Sequence, residues 1–461
     1  MNRRPDRPAQ PFLDENGTPR VRTLLTAAGP VEHRPGQVIL DVTALAPEDR
    51  DVRRAISFAS EVAGVELWSD DVGLRQAERS GFVRVYYRED DEDGKDEDGK
   101  TEEGTTRKVS VLARLRGKLG RDAVRVNPVF TIGSLTADPM RFASGISADP
   151  MRFAAAYGAD PMRFANSSTA RPAAALPDDG PRRQTKGPGQ ATVAILDTGF
   201  PADGPAVLGD VDFSCATGTV RERPDLNTDT YLDIAAGHTT FIRTMIERAS
   251  PVADVIVEGV IHNDGDGDEA DIAAALERVH DSVQANGGDF SRLIVNLSFS
   301  GYYDDEIGPP MIGYWIRELV AKGAVVVAAA GNNGDCRPKF PAAMPEVIAV
   351  ASMGSCGPSW FSNHGRWVDA CAPGEDLVSG FFAAFDGGYE PIVPGSVPDI
   401  DDFAGWATWS GTSFSTPAVV GALAELVETH GCTAKQAADL LIGRHGLLRI
   451  PDYGVVVNRI F

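Results

Sequence analysis

Three side chains that could together cleave an acyl bond lie at the ends of apolar runs in the sequence. Asp197 follows the run 190–196, His238 opens a second apolar segment, and Ser413 stands just before a run of small residues. Serine is a weak nucleophile at neutral pH and needs a base, and the base needs a carboxylate to fix its tautomer. The set predicts nucleophilic catalysis, with Asp197 as orienting acid, His238 as base and Ser413 as nucleophile.

A fourth candidate is Asn332, which follows the apolar run 323–331. Its amide could donate to the oxyanion of a tetrahedral intermediate, an interaction typically worth about 3–4 kcal/mol. Taken singly, these residues have ordinary alternatives, with Asp197 or Ser413 as a helix cap and His238 as a surface histidine. Their occurrence together, in this order, favours the catalytic interpretation.

Rigid elements are needed to hold these side chains. The apolar run before Asp197 and the one before Asn332 indicate buried strands, and sites in α/β sheets form at the carboxyl edge of such strands. His238 and Ser413 fall at predicted helix starts, where main-chain N–H groups face a developing negative charge. Further strands are predicted at 254–260, 293–297 and 347–350, and helices at 269–283 and 310–322. This alternation predicts an α/β fold with a doubly wound, mostly parallel sheet.

Four motifs resemble those of the subtilisin-like serine peptidases, and the resemblance covers about residues 190–461. The motifs are Asp197-Thr-Gly, His238-x-Thr, Ala330-Gly-Asn332 and Gly411-Thr-Ser413-x-x-Thr-Pro417. The resemblance implies a serine endopeptidase that works through an acyl-enzyme, with Asn332 as the oxyanion donor. It also implies a cleft in which an extended substrate pairs as an added strand. The residues expected to line this cleft are Ser298, Phe299, Ser300, Gly301 and Gly331.

The motifs depart from the family pattern at two positions. Thr239 occupies the usual glycine after the histidine, and Phe241 stands where a second histidine is common. Neither change removes a catalytic group, so we expect activity.

No metal and no cofactor are expected. In the loop 262–269 the spacing Asp264-x-Asp266-x-Asp268 is typical of a calcium loop, but the closing position is Ala275, which has no carboxylate. The usual calcium loop of the family would fall at 247–253, which is too short.

The same acidic loop 262–269 has two other interpretations: a rim of solvated acids, or a preference for basic substrate side chains. Arg337 and Lys339 lie near the expected position of the first specificity pocket. The preferred substrate residue therefore stays open.

Length and composition set the wider frame. The chain has 461 residues, 43% hydrophobic and 24% charged, which indicates globular structure and about two domains. The formal net charge of -22 argues against nucleic acid or an anionic membrane surface as partner and weakly favours cationic substrates. A peptide or protein substrate is what the family resemblance implies. No run has the length of a transmembrane helix, and the N-terminus has no apolar signal region.

Five cysteines without a framework spacing favour a cytoplasmic protein with reduced thiols, although pairing of Cys336 with Cys356 stays open.

The sequence before the catalytic region divides into three parts. Residues 1–35 are expected to be a flexible extension, 36–133 a smaller α+β domain, and 134–189 a linker that precedes the peptidase domain 190–461. In the α+β domain we predict strands at 37–42, 65–68, 82–87 and 123–126, and helices at 47–63 and 108–119. Its position resembles that of a subtilisin pro-domain, and an unrelated recognition domain is the alternative. The acidic run 89–103 within it is interpreted as a disordered insertion, and a calcium site is the less favoured alternative.

The linker contains an exact repeat. The unit Ala-Asp-Pro-Met-Arg-Phe-Ala occurs at 137–143, 148–154 and 159–165, whereas the spacers between copies differ. This asymmetry suggests that the unit is recognised; a repetitive linker without function is the alternative. Two hypotheses follow: the repeats 137–165 are the enzyme's own substrate, cut after Arg or Phe, or they are the functional peptide of a precursor or scaffold protein. A non-catalytic binding module is a third possibility, disfavoured because all three triad residues are present.

Overall fold

The protein is described by a computed structural model that covers most of the chain. The described residues are 21–26, 29–48, 50–88, 110–132, 170–174, 191–201, 221–222, 232–233, 235–251, 253–262, 265–303, 307–382, 385–386 and 402–458. The acidic run 89–103 and the repeats at 137–165 lie outside them. The chain divides into two compact units. The first is Met1–Val129 with Asp268–Ala274 and Tyr302–Trp315, and the second is Phe130–Gly267 with Ala275–Gly301 and Ile316–Phe461.

The first unit contains an antiparallel sheet covered by helices. Its strands are β1 (Arg22–Thr26), β2 (Gly29–Asp41), β3 (Phe82–Tyr86) and β4 (Val124–Thr131), and β2 pairs with each of the other three. Its helices are α1 (Val42–Leu45), α2 (Val52–Ala63), α3 (Asp71–Ser80) and α4 (Val111–Leu119). In α2 the buried residues Val52, Ile56 and Ala59 form one face, as the helical spacing predicts. Asp51 caps the N-terminus of this helix, and its carboxylate accepts a hydrogen bond from the Arg54 N–H.

Several elements of this unit differ from the sequence predictions. β1 and the start of β2 lie in residues expected to be a flexible extension, while the domain boundaries stay a prediction. The strand expected at 65–68 is reduced to a bridge between Trp68 and Tyr86. The helix α3 was not predicted, because its sequence has few apolar residues.

Strand β4 runs five residues further than the predicted strand, which was expected to end at Val126, and it passes through Pro128. Proline cannot donate to a sheet and usually ends pairing. Here Pro128 pairs with His33, and the β2–β4 register shifts between His33 and Val38. This irregularity in β2 allows the pairing to continue past the proline.

The second unit is built on a nine-stranded sheet. Its strands are β6 (Thr192–Asp197), β9 (Asp254–Gly259), β11 (Leu293–Leu297), β12 (Val325–Ala329), β13 (Val347–Gly354), β14 (Gly357–Pro358), β15 (Ala370–Pro373), β20 (Arg449–Ile450) and β21 (Gly454–Val456). The order is β20-β21-β15-β13-β12-β11-β6-β9, with β14 on β13. All pairings from β21 to β9 along this order are parallel. The predicted fold class, an α/β fold with a mostly parallel sheet, is confirmed.

The helices of this part of the chain include the two that carry His238 and Ser413. They are α5 (His238–Ala249), α6 (Glu269–Ala285), α7 (Pro310–Ala321), α8 (Thr412–His430) and α9 (Ala434–Ala438), with a 3-10 turn at Phe290–Arg292 and a π turn at Asp439–Gly443. Short strands complete the described elements: β5 (Arg171–Pro172), β7 (Phe200–Pro201), β8 (Arg221–Glu222), β10 (Asp266–Asp268), β16 (Leu377–Gly380), β17 (Phe385–Asp386), β18 (Asp402–Phe403) and β19 (Trp406–Trp409). The central strands β6, β11 and β12 are buried almost throughout, which explains their continuous apolar sequences. None of the helices that the structure describes is long and apolar enough to cross a bilayer.

Candidate active site

Asp197 and His238 form a buried hydrogen-bonded pair. Asp197 is the last residue of β6, and its Oδ1 lies 2.7 Å from Nδ1 of His238. Both side chains are buried, with 0% and 1% exposure. The same carboxylate oxygen accepts from the Thr198 N–H at 2.8 Å and lies 3.3 Å from the Thr239 hydroxyl. Because the carboxylate accepts the Nδ1 proton, Nε2 is left as the basic nitrogen of the imidazole.

The start of α5 holds His238 in place. Gly237 precedes the helix with φ of 80°, a conformation that favours glycine, and a Cβ there would collide with the ring of Phe381. The imidazole packs against Trp409 and Phe414, at ring-centroid distances of 5.2 and 5.1 Å. These ring contacts limit rotation of the imidazole and help to bury its hydrogen bond with Asp197.

Ser413 lies in the first turn of α8, and its side chain is directed at main-chain carbonyl groups. The hydroxyl lies 2.9 Å from the carbonyl oxygen of Ser298 and 2.9 Å from that of Ile132. In return, the Ser298 hydroxyl donates to the Ser413 carbonyl at 2.8 Å, and it accepts from the Asn296 amide at 2.9 Å. Ser413 is therefore anchored on the end of β11.

Asn332 shares the carbonyl of Ile132 with Ser413. Its Nδ2 lies 3.5 Å from that oxygen, while its Oδ1 accepts from the N–H and the hydroxyl of Thr412, at 2.9 and 2.8 Å. The two bonds from Thr412 fix which end of the amide is the donor. Gly331, with φ of 104°, makes the turn from β12 and donates to the Thr412 hydroxyl at 3.1 Å. Two donors thus converge on one carbonyl oxygen.

The segment Phe130–Ile132 occupies the cleft as an added strand. Thr131 and Ser300 exchange both main-chain hydrogen bonds, at 3.0 and 2.9 Å, and the Ile132 N–H donates to the Gly265 carbonyl. The ring of Phe130 packs edge-on against Phe299 at 6.0 Å. This is the pairing with Ser298–Gly301 that the family resemblance implied for a substrate, and here the paired strand belongs to the chain itself.

Three acids of the predicted rim are buried rather than solvated. In the first unit Asp268 is ion-paired with Arg84 at 3.3 Å and with Arg34 at 3.6 Å. Asp266 and Glu269 are fully buried. The expectation of a solvated rim is wrong for these three residues. Asp268 is paired with arginines, and the side chains of Asp266 and Glu269 are shielded from solvent.

Glu269 is the most perturbed of these acids. Burial raises its pKa to about 8, although its Oε1 accepts from the Met311 N–H at 2.7 Å. At neutral pH this carboxyl group is protonated, so it offers no charge to a substrate.

Three residues of the site were not predicted from the sequence to have a role there. Thr412 had no motif signal of its own beyond its place before Ser413. Ile132 lies 281 positions from Ser413, and no local pattern marks it. Thr239 entered as a departure from the family, and here its hydroxyl accepts from the Gly199 N–H at 3.0 Å beside Asp197.

Metal ligands and disulfides can be assessed for the described residues only. Among them no group of three or more metal-ligating side chains comes together. Cys336 and Cys356 are both exposed free thiols.

Comparison with known proteins bears on the same region. The family model described as Subtilase family matches residues 189–443, which is more than half of the chain. The chain belongs to the subtilase family. This subtilase is 30% identical to thermitase from Thermoactinomyces vulgaris over 249 residues, covering 53% of the chain and 77% of thermitase.

Two further similarities are at lower sequence identity. A subtilisin from Bacillus sp. (strain TA39) is 27% identical over 53% of the chain, which spans only 58% of that relative. A solved cold-adapted subtilisin-like serine proteinase is 20% identical, with a TM-score of 0.43 over 64% of the chain and 97% of that structure.

Proposed function

We propose that this subtilase is a serine endopeptidase that hydrolyses peptide bonds through an acyl-enzyme. One observation carries the proposal: Ser413 Oγ and Asn332 Nδ2 meet at a single main-chain carbonyl oxygen, that of Ile132. The carbonyl belongs to a strand held by antiparallel pairing, which is how an extended peptide would bind. Family membership supports the same conclusion.

The geometry supports a mechanism in which each residue has one task. His238 Nε2 takes the proton of Ser413 as Oγ bonds to the carbonyl carbon. Asp197 Oδ1, hydrogen-bonded to Nδ1, stabilises the imidazolium that forms. Asn332 Nδ2 donates to the oxyanion. The C–N bond then breaks, His238 returns the proton to the leaving amine, and water later releases the acid by the reverse sequence.

Attack requires one rearrangement of Ser413. Among the described residues, its hydroxyl is hydrogen-bonded to the carbonyl oxygens of Ser298 and Ile132. For attack, the hydroxyl must turn from these carbonyl oxygens, so that its proton goes to His238 and its oxygen bonds to the carbonyl carbon.

The chain's own Ile132–Gly133 bond is a further proposed substrate. Its carbonyl is the one at the catalytic centre, and a tethered segment has a high effective concentration there. This bond lies upstream of the repeats, whose cleavage stays a prediction because they fall outside the described residues. The same holds for a precursor role of the repeats and for a cytoplasmic location.

Comparison of the wild type with Ser413→Ala tests both proposals. The variant should hydrolyse no unstructured protein such as casein, because no other group replaces the nucleophile. Its unfolding temperature, measured as a control, should change little, because the substitution removes one hydroxyl and a typical hydrogen bond contributes only about 1 kcal/mol to stability. Normal turnover by a folded Ser413→Ala protein would refute the mechanism.

Mapping of new termini by mass spectrometry tests self-cleavage in the same two samples. A terminus at Gly133 in the wild type only would support cleavage of the Ile132–Gly133 bond. Termini within 138–165 would favour the repeats instead. An intact wild type, or equal cleavage in both proteins, would refute self-cleavage.

A further inference from the structure

The start of the helix α5 leaves no room for a side chain at the residue before His238. Gly237 has φ of 80°, and a Cβ built on it would collide with the ring of Phe381. Phe381 is fully buried, with 0% exposure. Its ring thus occupies the position that a side chain at residue 237 would take, and this close contact requires glycine there.

Phe381 also reaches the imidazole through Trp409. The rings of Phe381 and Trp409 lie 6.3 Å apart between centroids, at an interplanar angle of 77°. Trp409 in turn packs edge-on against His238, with centroids 5.2 Å apart and an angle of 84°. Edge-to-face contacts of this kind are attractive at centroid distances of about 4.5–7 Å. Phe381 therefore contacts both the main chain before His238 and the ring that packs on its imidazole.

Phe381 begins a chain excursion, residues 381–405, that leaves β16 and returns to β19. At its base the Phe381 N–H donates to the Gly405 carbonyl at 2.8 Å, and the Gly405 N–H donates to the Phe382 carbonyl at 2.9 Å. Phe403 is buried as well, and its ring lies 4.4 Å from that of Phe381 between centroids. These contacts fix the ring of Phe381 independently of the helix that it meets.

The proposed reaction depends on the orientation of the imidazole. Nδ1 must donate to Asp197 Oδ1, 2.7 Å away, while Nε2 stays available for the proton of Ser413. A general base works only within hydrogen-bond reach of the proton that it takes. A misplacement of about 1 Å in a catalytic site can cost roughly a hundredfold in rate. Groups that fix His238 thus affect the rate without taking part in the bond changes.

We propose that Phe381 is a positioning residue for the peptidase reaction: through Gly237 and Trp409 it holds the imidazole of His238 in its catalytic orientation. The inference rests on the proposed peptidase function. Phe381 lies outside the four motifs that carry the family resemblance. The inference therefore gives the 381–405 excursion a part in catalysis.

The first test compares Phe381→Ala with Phe382→Ala in the full-length chain. Phe382 is the matched control, because it is the adjacent buried phenylalanine and its loss leaves the ring of Phe381 against Gly237. Phe381→Ala should lower kcat at least about tenfold with KM within about twofold, and it should slow labelling of Ser413 by a fluorophosphonate probe by a similar factor. Phe382→Ala should keep kcat within about twofold of the wild type at a temperature where both variants are folded. If Phe381→Ala does not fold, Phe381→Leu and Phe382→Leu give the same comparison.

A spectroscopic measurement separates positioning from a general loss of packing. The far-downfield NMR signal of the His238 Nδ1 proton reports its short hydrogen bond with Asp197. This signal should broaden or disappear in Phe381→Ala and persist in Phe382→Ala.

A double-mutant cycle tests the contact itself. Gly237→Ala brings a Cβ into collision with the ring of Phe381 and should slow the labelling of Ser413. In the Phe381→Ala background that ring is absent, so the same substitution should cost at least about fivefold less in labelling rate. The strain of a positive φ at residue 237 is present in both backgrounds and cancels in the comparison.

The outcomes separate this inference from the proposed function. The inference would be overturned by wild-type kcat in a folded Phe381→Ala protein, by an equal loss in Phe382→Ala, by a change in KM alone, or by losses that simply multiply in the cycle. In each of these cases turnover by the wild type would still support the peptidase proposal. If the wild type hydrolyses no peptide and Ser413 is not labelled, the proposed function fails and the inference fails with it.

Discussion

Replacing Asn332 with alanine should impair turnover much more than substrate binding. The amide nitrogen lies 3.5 Å from the carbonyl oxygen of Ile132, a long contact for a ground-state hydrogen bond. The contact should shorten as charge develops on that oxygen in the transition state. Binding that strengthens only in the transition state raises kcat without lowering KM.

The magnitude follows from the role of a single oxyanion donor. Loss of such a donor costs about 2.7–4 kcal/mol, or roughly a hundredfold to a thousandfold in kcat. A second effect must be separated from it, because Asn332 Oδ1 accepts two hydrogen bonds from buried Thr412. Losing that acceptor costs about 1–3 kcal/mol of stability for a buried donor.

Two variants divide these effects. Asn332→Ala removes both the donor and the acceptor, whereas Asn332→Asp keeps an acceptor for Thr412 and removes the donor. The assay is steady-state hydrolysis of one fluorogenic peptide, with the unfolding temperature of each variant as a control. Both variants should lose at least about a hundredfold in kcat with little change in KM, and Asn332→Asp should unfold nearer to the wild-type temperature. A change confined to KM, or a loss in kcat of less than about tenfold, would refute the oxyanion role.

Two further predictions concern residues around the site and in the first unit. Thr239→Val removes the hydroxyl that accepts a hydrogen bond from the Gly199 N–H and lies 3.3 Å from Asp197. The kcat of this variant should fall about tenfold with KM unchanged, whereas Thr239→Ser should retain activity. Equal kinetics for the wild type and both variants would contradict a positioning role. Burial raises the pKa of Glu269 to about 8, so between the ordinary pKa of an unfolded glutamate and about 8 the folded protein holds a proton that the unfolded chain has released. The free energy of unfolding should therefore fall as pH rises through this window, and Glu269→Gln should reduce that fall. The measurement is the urea midpoint of both proteins at pH 5 and pH 8. An unchanged pH dependence in the variant would show that Glu269 does not cause it.

The sequence was informative wherever one local segment carried the signal. The apolar runs of β6 and β12 predicted buried strands with Asp197 and Asn332 at their ends, because a strand covered on both faces must be apolar throughout. Likewise, Ser413 was expected at a helix start because small apolar residues follow it.

Features that depend on distant parts of the chain were not predictable. Nothing near Ile132 indicates that its carbonyl would meet Ser413, since the contact depends on how β4 continues past Pro128. A solvated rim was one interpretation of the acidic loop 262–269. It fails for Asp268 because the partner Arg84 lies far away in sequence. Lys339 was placed near the specificity pocket only by resemblance, and its burial follows from the pairing of Gly301 with Phe340, which no local pattern reveals.

Active-site labelling tests the central claim most directly. The folded wild-type chain is incubated with a fluorophosphonate probe, and the adduct is located by intact mass and peptide mapping. The proposed mechanism predicts one adduct, on Ser413, that is absent in Ser413→Ala and forms far more slowly in His238→Ala, because only a serine with its base reacts at neutral pH. No adduct on the folded wild type, an adduct on another serine, or equal labelling of the His238→Ala variant would contradict it.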